Sequence, residues 1–166
     1  MQVYRIPFSQ VPQLSSRDVA YATQDERLRP FYVHPPKLEA FAEVIAQREA
    51  FQTDRQLLVD TLREQYATFG PTEAGDATAQ SQIERLSAPK TFTLVTAHQP
   101  SLFTGPLYFV IKILSTINLS RQLNEAYPDY HFVPLFVMGG EDHDFAEVNH
   151  LHLFGKRIEW ENEEGG

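Results

Sequence analysis

The chain contains no cysteine. That absence excludes disulfides, Cys-ligated zinc, iron–sulfur clusters and a thiolate nucleophile. Long apolar runs are missing too: residues 107–111 are stopped by Lys112, and residues 132–138 contain Pro134. Neither approaches the roughly 18–20 residues that a transmembrane helix needs. The start, Met1-Gln2-Val3-Tyr4-Arg5, lacks the charged-then-apolar layout of a signal peptide. A cytoplasmic location is expected. Basic charge is scarce: 14 Lys and Arg stand against 22 Asp and Glu, for a formal net charge of −8. Up to Lys90 the balance is −2, and beyond it −6. Such a surface repels phosphate backbones and offers no basic stripe, so neither nucleic acid nor an anionic membrane is an expected partner. A small molecule remains open, because a helix N-terminus can hold an anion on an acidic protein.

What is present fits one domain. The 166 residues are 42% hydrophobic and 22% charged, an ordinary globular composition. Two textures divide it into a helical segment, 1–90, and the start of an α/β core, 91–166. Pro7, Pro12, Pro30, Pro35 and Pro36 argue against a long helix at the start. From Lys37 the apolar spacing turns helical through Leu38, Phe41, Ile45 and Phe51. Thr53 is read as the cap of a second helix with a stripe of Leu57, Leu58, Leu62, Tyr66 and Phe69. Residues 71–75 read as a linker before a third helix over 77–87, with Ile83 and Leu86 inward.

The second texture is more informative. Thr91-Phe92-Thr93-Leu94-Val95-Thr96 has the composition of a buried strand. A loop follows, and Pro106 suits the first position of a helix whose stripe is Leu107, Val110, Ile111, Leu114 and Ile117. A second apolar strand over 131–138 runs into Gly139-Gly140-Glu141-Asp142-His143-Asp144. Strand, helix and strand in this order predict a βαβ unit with parallel strands flanked by helices on both faces. Segments 151–154 and 157–160 around Gly155-Lys156 predict a hairpin.

In an open parallel sheet, ligands bind beyond the carboxyl ends of the strands. Both polar clusters fall on that edge. The first is His98 and Gln99, leading to Thr104 and Gly105 at the N-terminus of the helix, where free amides could hold a phosphate or carboxylate. Neither G-x-G-x-x-G nor G-x-x-x-x-G-K-[ST] is present. The second is Glu141 to Asp144, where three carboxylates surround His143. Such crowding suits acid–base work or, with His150 and His152, a metal, and is also the texture of a solvated loop. His34 reads as a loop residue and His131 as structural.

Thr96-Ala97-His98-Gln99-Pro100-Ser101-Leu102-Phe103-Thr104-Gly105-Pro106-Leu107-Tyr108, with Gly140-Glu141-Asp142-His143-Asp144-Phe145 and Glu147-Val148-Asn149-His150, resembles the bacillithiol-synthesis family BshC. Leu28-Arg29-Pro30-Phe31-Tyr32 is similar to that family as well. The resemblance implies an α/β, Rossmann-like core related to nucleotidyltransferases, with a connector and a dimerising coiled coil in the full-length protein. It implies a cysteine ligase that joins cysteine to glucosaminyl-malate, with activation by ATP or another nucleotide. The family often reads Thr-Gly-Gln-Gln where this chain has Thr96-Ala97-His98-Gln99. Its members are also several times longer, so this chain is expected to be an N-terminal piece, truncated after the first βαβ unit and inactive alone. His98, Gln99, Thr104 and Gly105 are the expected ligand contacts. Asp142, His143 and Asp144 are the expected catalytic groups, with no resident metal. A non-catalytic nucleotide- or metabolite-binding module is the alternative reading, and a metal-dependent hydrolase using His143 and His150 a more distant one.

Overall fold

The computed structural model describes residues 2–69, 75–101, 103, 105–140 and 145–161. By contacts the chain divides into two compact units, Met1–Gln52 and Thr53–Gly166. The texture of the sequence, by contrast, changes near Lys90.

In the first unit, prolines keep every element short. Helix α1, Ser16–Ala22, is opened by a capping box: the Ser15 hydroxyl accepts from the Asp18 N–H, and the Asp18 carboxylate accepts from the Ser15 N–H. Three short 3-10 turns surround it, and α2, Phe41–Glu49, buries Ile45. Phe51 lies beyond the end of α2 and is exposed.

The second unit holds α3 (Arg55–Thr68), α4 (Gly75–Arg85), β1 (Thr91–His98), α5 (Leu107–Ala126), β2 (His131–Met138), α6 (Phe145–Val148), β3 (His150–Leu153) and β4 (Lys156–Glu159). Strands β1 and β2 pair in parallel from Thr91↔His131 to His98↔Met138, and α5 makes the crossover. The predicted βαβ unit is therefore present, within two residues at each strand end. Of the expected linker over 71–75, residues 71–74 lie outside the described residues and Gly75 already begins α4.

Packing changes three details of the sequence reading. Asp54, not Thr53, caps α3, because its Oδ1 sits 3.0 Å from the Leu57 N–H three residues on. The face of α3 that meets the core carries Val59 with Leu58 and Leu62, against Ile83 and Leu86 near the end of α4 and Val133 on β2. Leu57 and Phe69, expected in the stripe, are 63% and 70% exposed. In α5 the sheet-facing side is turned similarly. Ser120 and Leu123 are buried and Phe109, Ile113 and Thr116 half-buried; of the expected stripe Val110 and Ile117 are half-buried too, while Leu107, Ile111 and Leu114 are exposed. Apolar residues occupy more of each helix circumference than the neighbouring elements cover. Contact, not composition, selects the face.

The two faces of the sheet are covered unequally. Phe109 of α5 packs on Phe136, while Val133, on the opposite face by strand alternation, meets α3 and α4. Strand β1 alternates instead of being buried throughout, and Val95 is 58% exposed. On this face of β1 Thr91 is buried, but the cover does not reach Val95.

Three polar devices hold the unit. Arg55 donates to the carbonyls of Leu86, Thr91 and Pro89, tying α3 to the turn that feeds β1. Asn124 takes the place of a neighbouring strand for Phe132: its Oδ1 accepts the Phe132 N–H at 2.9 Å and its Nδ2 donates to the Phe132 carbonyl at 3.2 Å. Buried Ser120 adds a 2.6 Å bond to the same carbonyl. Pro134, the next residue with this orientation, has no N–H to satisfy.

The hairpin pairs His150↔Glu159 to Leu153↔Lys156. Its turn residues are Phe154 and Gly155, at φ 50° and 75°, one position before the expected pair. Positive φ at both positions is the geometry that matches strand twist in a two-residue turn. Buried Asn149 closes the open end by donating to Glu159 and to the Trp160 carbonyl.

Two outcomes test this packing. Asn124→Ala strands the Phe132 N–H and should cost about 1–3 kcal/mol in urea unfolding. His131 shares a 2.9 Å contact with Gln82, and burial, aided by the Arg85 charge, pulls its pKa below the ordinary histidine value. The unfolded chain then binds the proton more readily. The stabilisation should be complete above about pH 6.5 and be lost as pH falls below it. His131→Gln should flatten that part of the stability–pH curve.

Candidate functional site

The parallel pairing sets where chemistry can gather. His98 ends β1 opposite Met138, and the Gly139 N–H donates to the His98 carbonyl at 2.9 Å. The chain therefore leaves β1 and β2 at one edge of the sheet, at His98 and Gly139, as expected for a ligand-binding edge.

The first loop turns sharply before α5. Gly105 has φ +61°, and a Cβ there would lie 2.6 Å from Ser101 Cβ. Only glycine serves both the left-handed backbone and the close approach. Pro106 is the residue preceding the helix, extended at ψ 154°, rather than its first helical residue, and as N-cap it offers no side-chain hydrogen bond to the amides that follow. Those amides and the dipole end of a helix 20 residues long face the loop.

His98 is held on two sides. Its Nδ1 lies 2.9 Å from the Gln99 carbonyl and its Nε2 lies 2.9 Å from the Tyr108 hydroxyl. The ring also packs on Tyr108 and Phe109, with centroids 5.0 and 5.3 Å away. Lys112, one turn beyond Tyr108, places Nζ 5.5 Å from the Tyr108 ring centroid and 3.4 Å from the Ala97 carbonyl. It brings a cation to an edge whose second loop is rich in carboxylates in the sequence.

A cleft of about 960 Å³ opens beside this group. One wall is the β1–α5 loop with His98, Gln99, Ser101 and Gly105; the other is the β3–β4 hairpin. The hairpin contributes His150 and His152, whose rings stand edge to face at 5.6 Å, and an apolar floor that includes Leu151 and Ile158. Imidazoles, a hydroxyl and apolar surface suit a small polar molecule with an apolar portion. No group of three His, Asp or Glu side chains among the described residues is placed to hold a metal ion.

Of the residues singled out from sequence, His98, Gln99, Gly105, His150 and His152 line this cleft. Thr104, Asp142, His143 and Asp144 lie outside the described residues. Sequence reasoning missed the roles of Tyr108 and Lys112. Their i, i+4 spacing in the first turns of α5 puts them on one face, and that signal could have drawn attention to them. The hairpin and its two histidines were read from the sequence, but their place opposite the β1–α5 loop depends on tertiary structure.

A parallel βαβ unit with its cleft at the carboxyl edge defines a Rossmann-like α/β domain. The chain belongs to the family described as "Bacillithiol biosynthesis BshC, N-terminal Rossmann-like domain", which matches residues 1–166. A protein of Flavobacterium johnsoniae named "Putative cysteine ligase BshC" is 44% identical over 148 residues, 88% of this chain and 27% of that protein. Proteins of the same name from Cytophaga hutchinsonii and Bacillus licheniformis are 37% and 32% identical, over 99% and 80% of this chain and 31% and 24% of theirs. The chain thus spans about a quarter to a third of the length of these relatives.

The loop geometry is open to test. Gly105→Ala should destabilise the chain by at least about 1–2 kcal/mol for the left-handed conformation alone, read as a lowered melting temperature. Adding Ser101→Gly removes the atoms that the new methyl meets and should recover part of that loss. No recovery would mean that the close approach is not what selects glycine.

Proposed function

We propose that this chain supplies the N-terminal, Rossmann-like part of a ligase that adds cysteine to glucosaminyl-malate in bacillithiol synthesis. Family membership supports the reaction class. The single observation that carries a ligand-binding role is the cleft at the carboxyl edge of β1 and β2, lined by His98, Gln99 and Gly105. In this reading those residues and Thr104 contact the ligand, with the start of α5 favouring an anionic group. Asp142, His143 and Asp144 follow the second strand and serve as polar groups near the reacting centre. Activation by ATP or another nucleotide is part of the proposal. So are a helical lead-in over 1–90, a core beginning at 91, a homodimeric whole protein and a cytoplasmic location. The net charge of −8, and the lack of any helix among the described residues long and apolar enough to cross a membrane, are compatible with that location.

The test replaces the matching segment of the Flavobacterium johnsoniae relative with this chain. The hybrid is given cysteine, glucosaminyl-malate and ATP, and the product is followed by mass spectrometry. A cysteine-bearing product is expected. His98→Ala and Asp142→Asn should each lower turnover at least about tenfold, or ~1.4 kcal/mol of transition-state stabilisation, with melting little changed. Full activity in both variants would overturn the site assignment. A folded hybrid that binds the substrates without turnover would instead define a metabolite-binding module.

A further inference from the structure

The contacts of His98 specify more than a ligand contact. A carbonyl oxygen can only accept, so the 2.9 Å approach of Nδ1 to the Gln99 carbonyl requires a hydrogen on Nδ1. In the neutral ring Nε2 is then bare, and its 2.9 Å contact with Tyr108 must be filled by the phenol hydrogen. Having donated its one hydrogen, the Tyr108 oxygen still has acceptor lone pairs. Tyr108 lines the cleft and is 49% exposed, so a ligand can reach it. Lys112 stands 5.5 Å from the centre of the same ring and holds a cation beside the pair. Among the described residues, the other titratable groups that line the cleft are His150 and His152, on the hairpin wall.

We infer that Tyr108 and His98 form a proton-accepting pair at the cleft, which takes the proton released when a primary amine becomes an amide. The identity of the amine rests on the ligase reading above. In the step, the amine nitrogen attacks the carbonyl carbon of an activated carboxylate, forming the C–N bond. The bond from that carbon to the leaving oxygen breaks, and its electron pair departs with the leaving group. One amine proton passes to the Tyr108 oxygen as the phenol hydrogen moves to Nε2 of His98. The resulting imidazolium donates to both the Gln99 carbonyl and Tyr108, and returns its extra proton to water. Histidine is suited to be the sink because its ordinary pKa lies nearest neutrality among the side chains.

The chain as it stands can be tested without ligase turnover, using p-nitrophenyl acetate as the probe. Acetylation forms a bond from the phenol oxygen to the acetyl carbon and expels nitrophenolate, with the phenol hydrogen passing to Nε2. Mass spectrometry locates the modified tyrosines. At neutral pH Tyr108 should be acetylated at least about tenfold faster than Tyr4 or Tyr21, which are 76% and 49% exposed. His98→Gln should remove the advantage. A Tyr108 rate no greater than that of Tyr21, or one unchanged by His98→Gln, overturns the pair. Because that substitution also alters packing on Phe109, nitrogen-15 NMR of the unaltered chain provides a second readout. A hydrogen on Nδ1 and a bare Nε2 are expected, and the opposite tautomer overturns the inference. An activated Tyr108 in a chain whose hybrid makes no amide would reject the amine as the proton source and leave the pair intact. An active hybrid in which Tyr108→Phe turns over at the unaltered rate would reject the pair and leave the ligase reading intact.

Discussion

The parallel pairing of β1 with β2 is the constraint on which the rest of the second unit depends. Parallel neighbours cannot be joined by a tight turn, so the chain must cross from the end of β1 to the start of β2. Helix α5 makes that crossing, and two consequences follow from it. The loops after both strands leave the same edge, where His98 and Gly139 are hydrogen bonded. The helix also lies across the pair, where Ser120 and Asn124 occupy the backbone groups of Phe132. One connection thus places the candidate site at one end and fastens the sheet at the other.

Covering of the strands is graded along their length. Near their start, Phe132 and Val133 are buried, one facing α5 and the other facing the cluster of Val59, Ile83 and Leu86. Toward the carboxyl edge the cover thins, and Val137 and Met138 are 44% and 65% exposed. The apolar composition of β2 is that of a strand covered on both faces. Within this chain only its first half receives such cover. The exposed Leu107, Ile111 and Leu114 of α5 show the same excess of apolar surface over packing partners.

At the carboxyl edge the chemistry is concentrated on α5 and its preceding loop. Gly105 allows the turn, α5 presents Tyr108 and Lys112 one turn apart, and β1 delivers His98 between the Gln99 carbonyl and the phenol. Each contact limits what the next can do: the carbonyl selects the tautomer, and the tautomer selects the direction of the phenol hydrogen. The β3–β4 hairpin then supplies the second wall, with its own pair of imidazoles.

Much of this architecture was legible before any coordinates. The apolar run, helical spacing and apolar run over 91–138 specified the parallel unit, because only a crossover helix joins such strands. The loop block around His98 and Gly105 carried the family resemblance and located the site edge. Local pattern also placed Ile83 and Leu86 in the core, and both are buried. Pattern could not choose which apolar face of α3 or α5 would be covered, since each helix carries more apolar residues than one face holds. Val59 rather than Leu57, and Leu123 rather than Leu114, are buried because of what lies opposite them. The partnership of His98 with Tyr108, ten residues away, and the hairpin wall of the cleft were likewise decided only by tertiary structure. The sequence determines which local elements form, through spacing and turn chemistry. Which side chains meet across those elements depends on distances that no local pattern encodes.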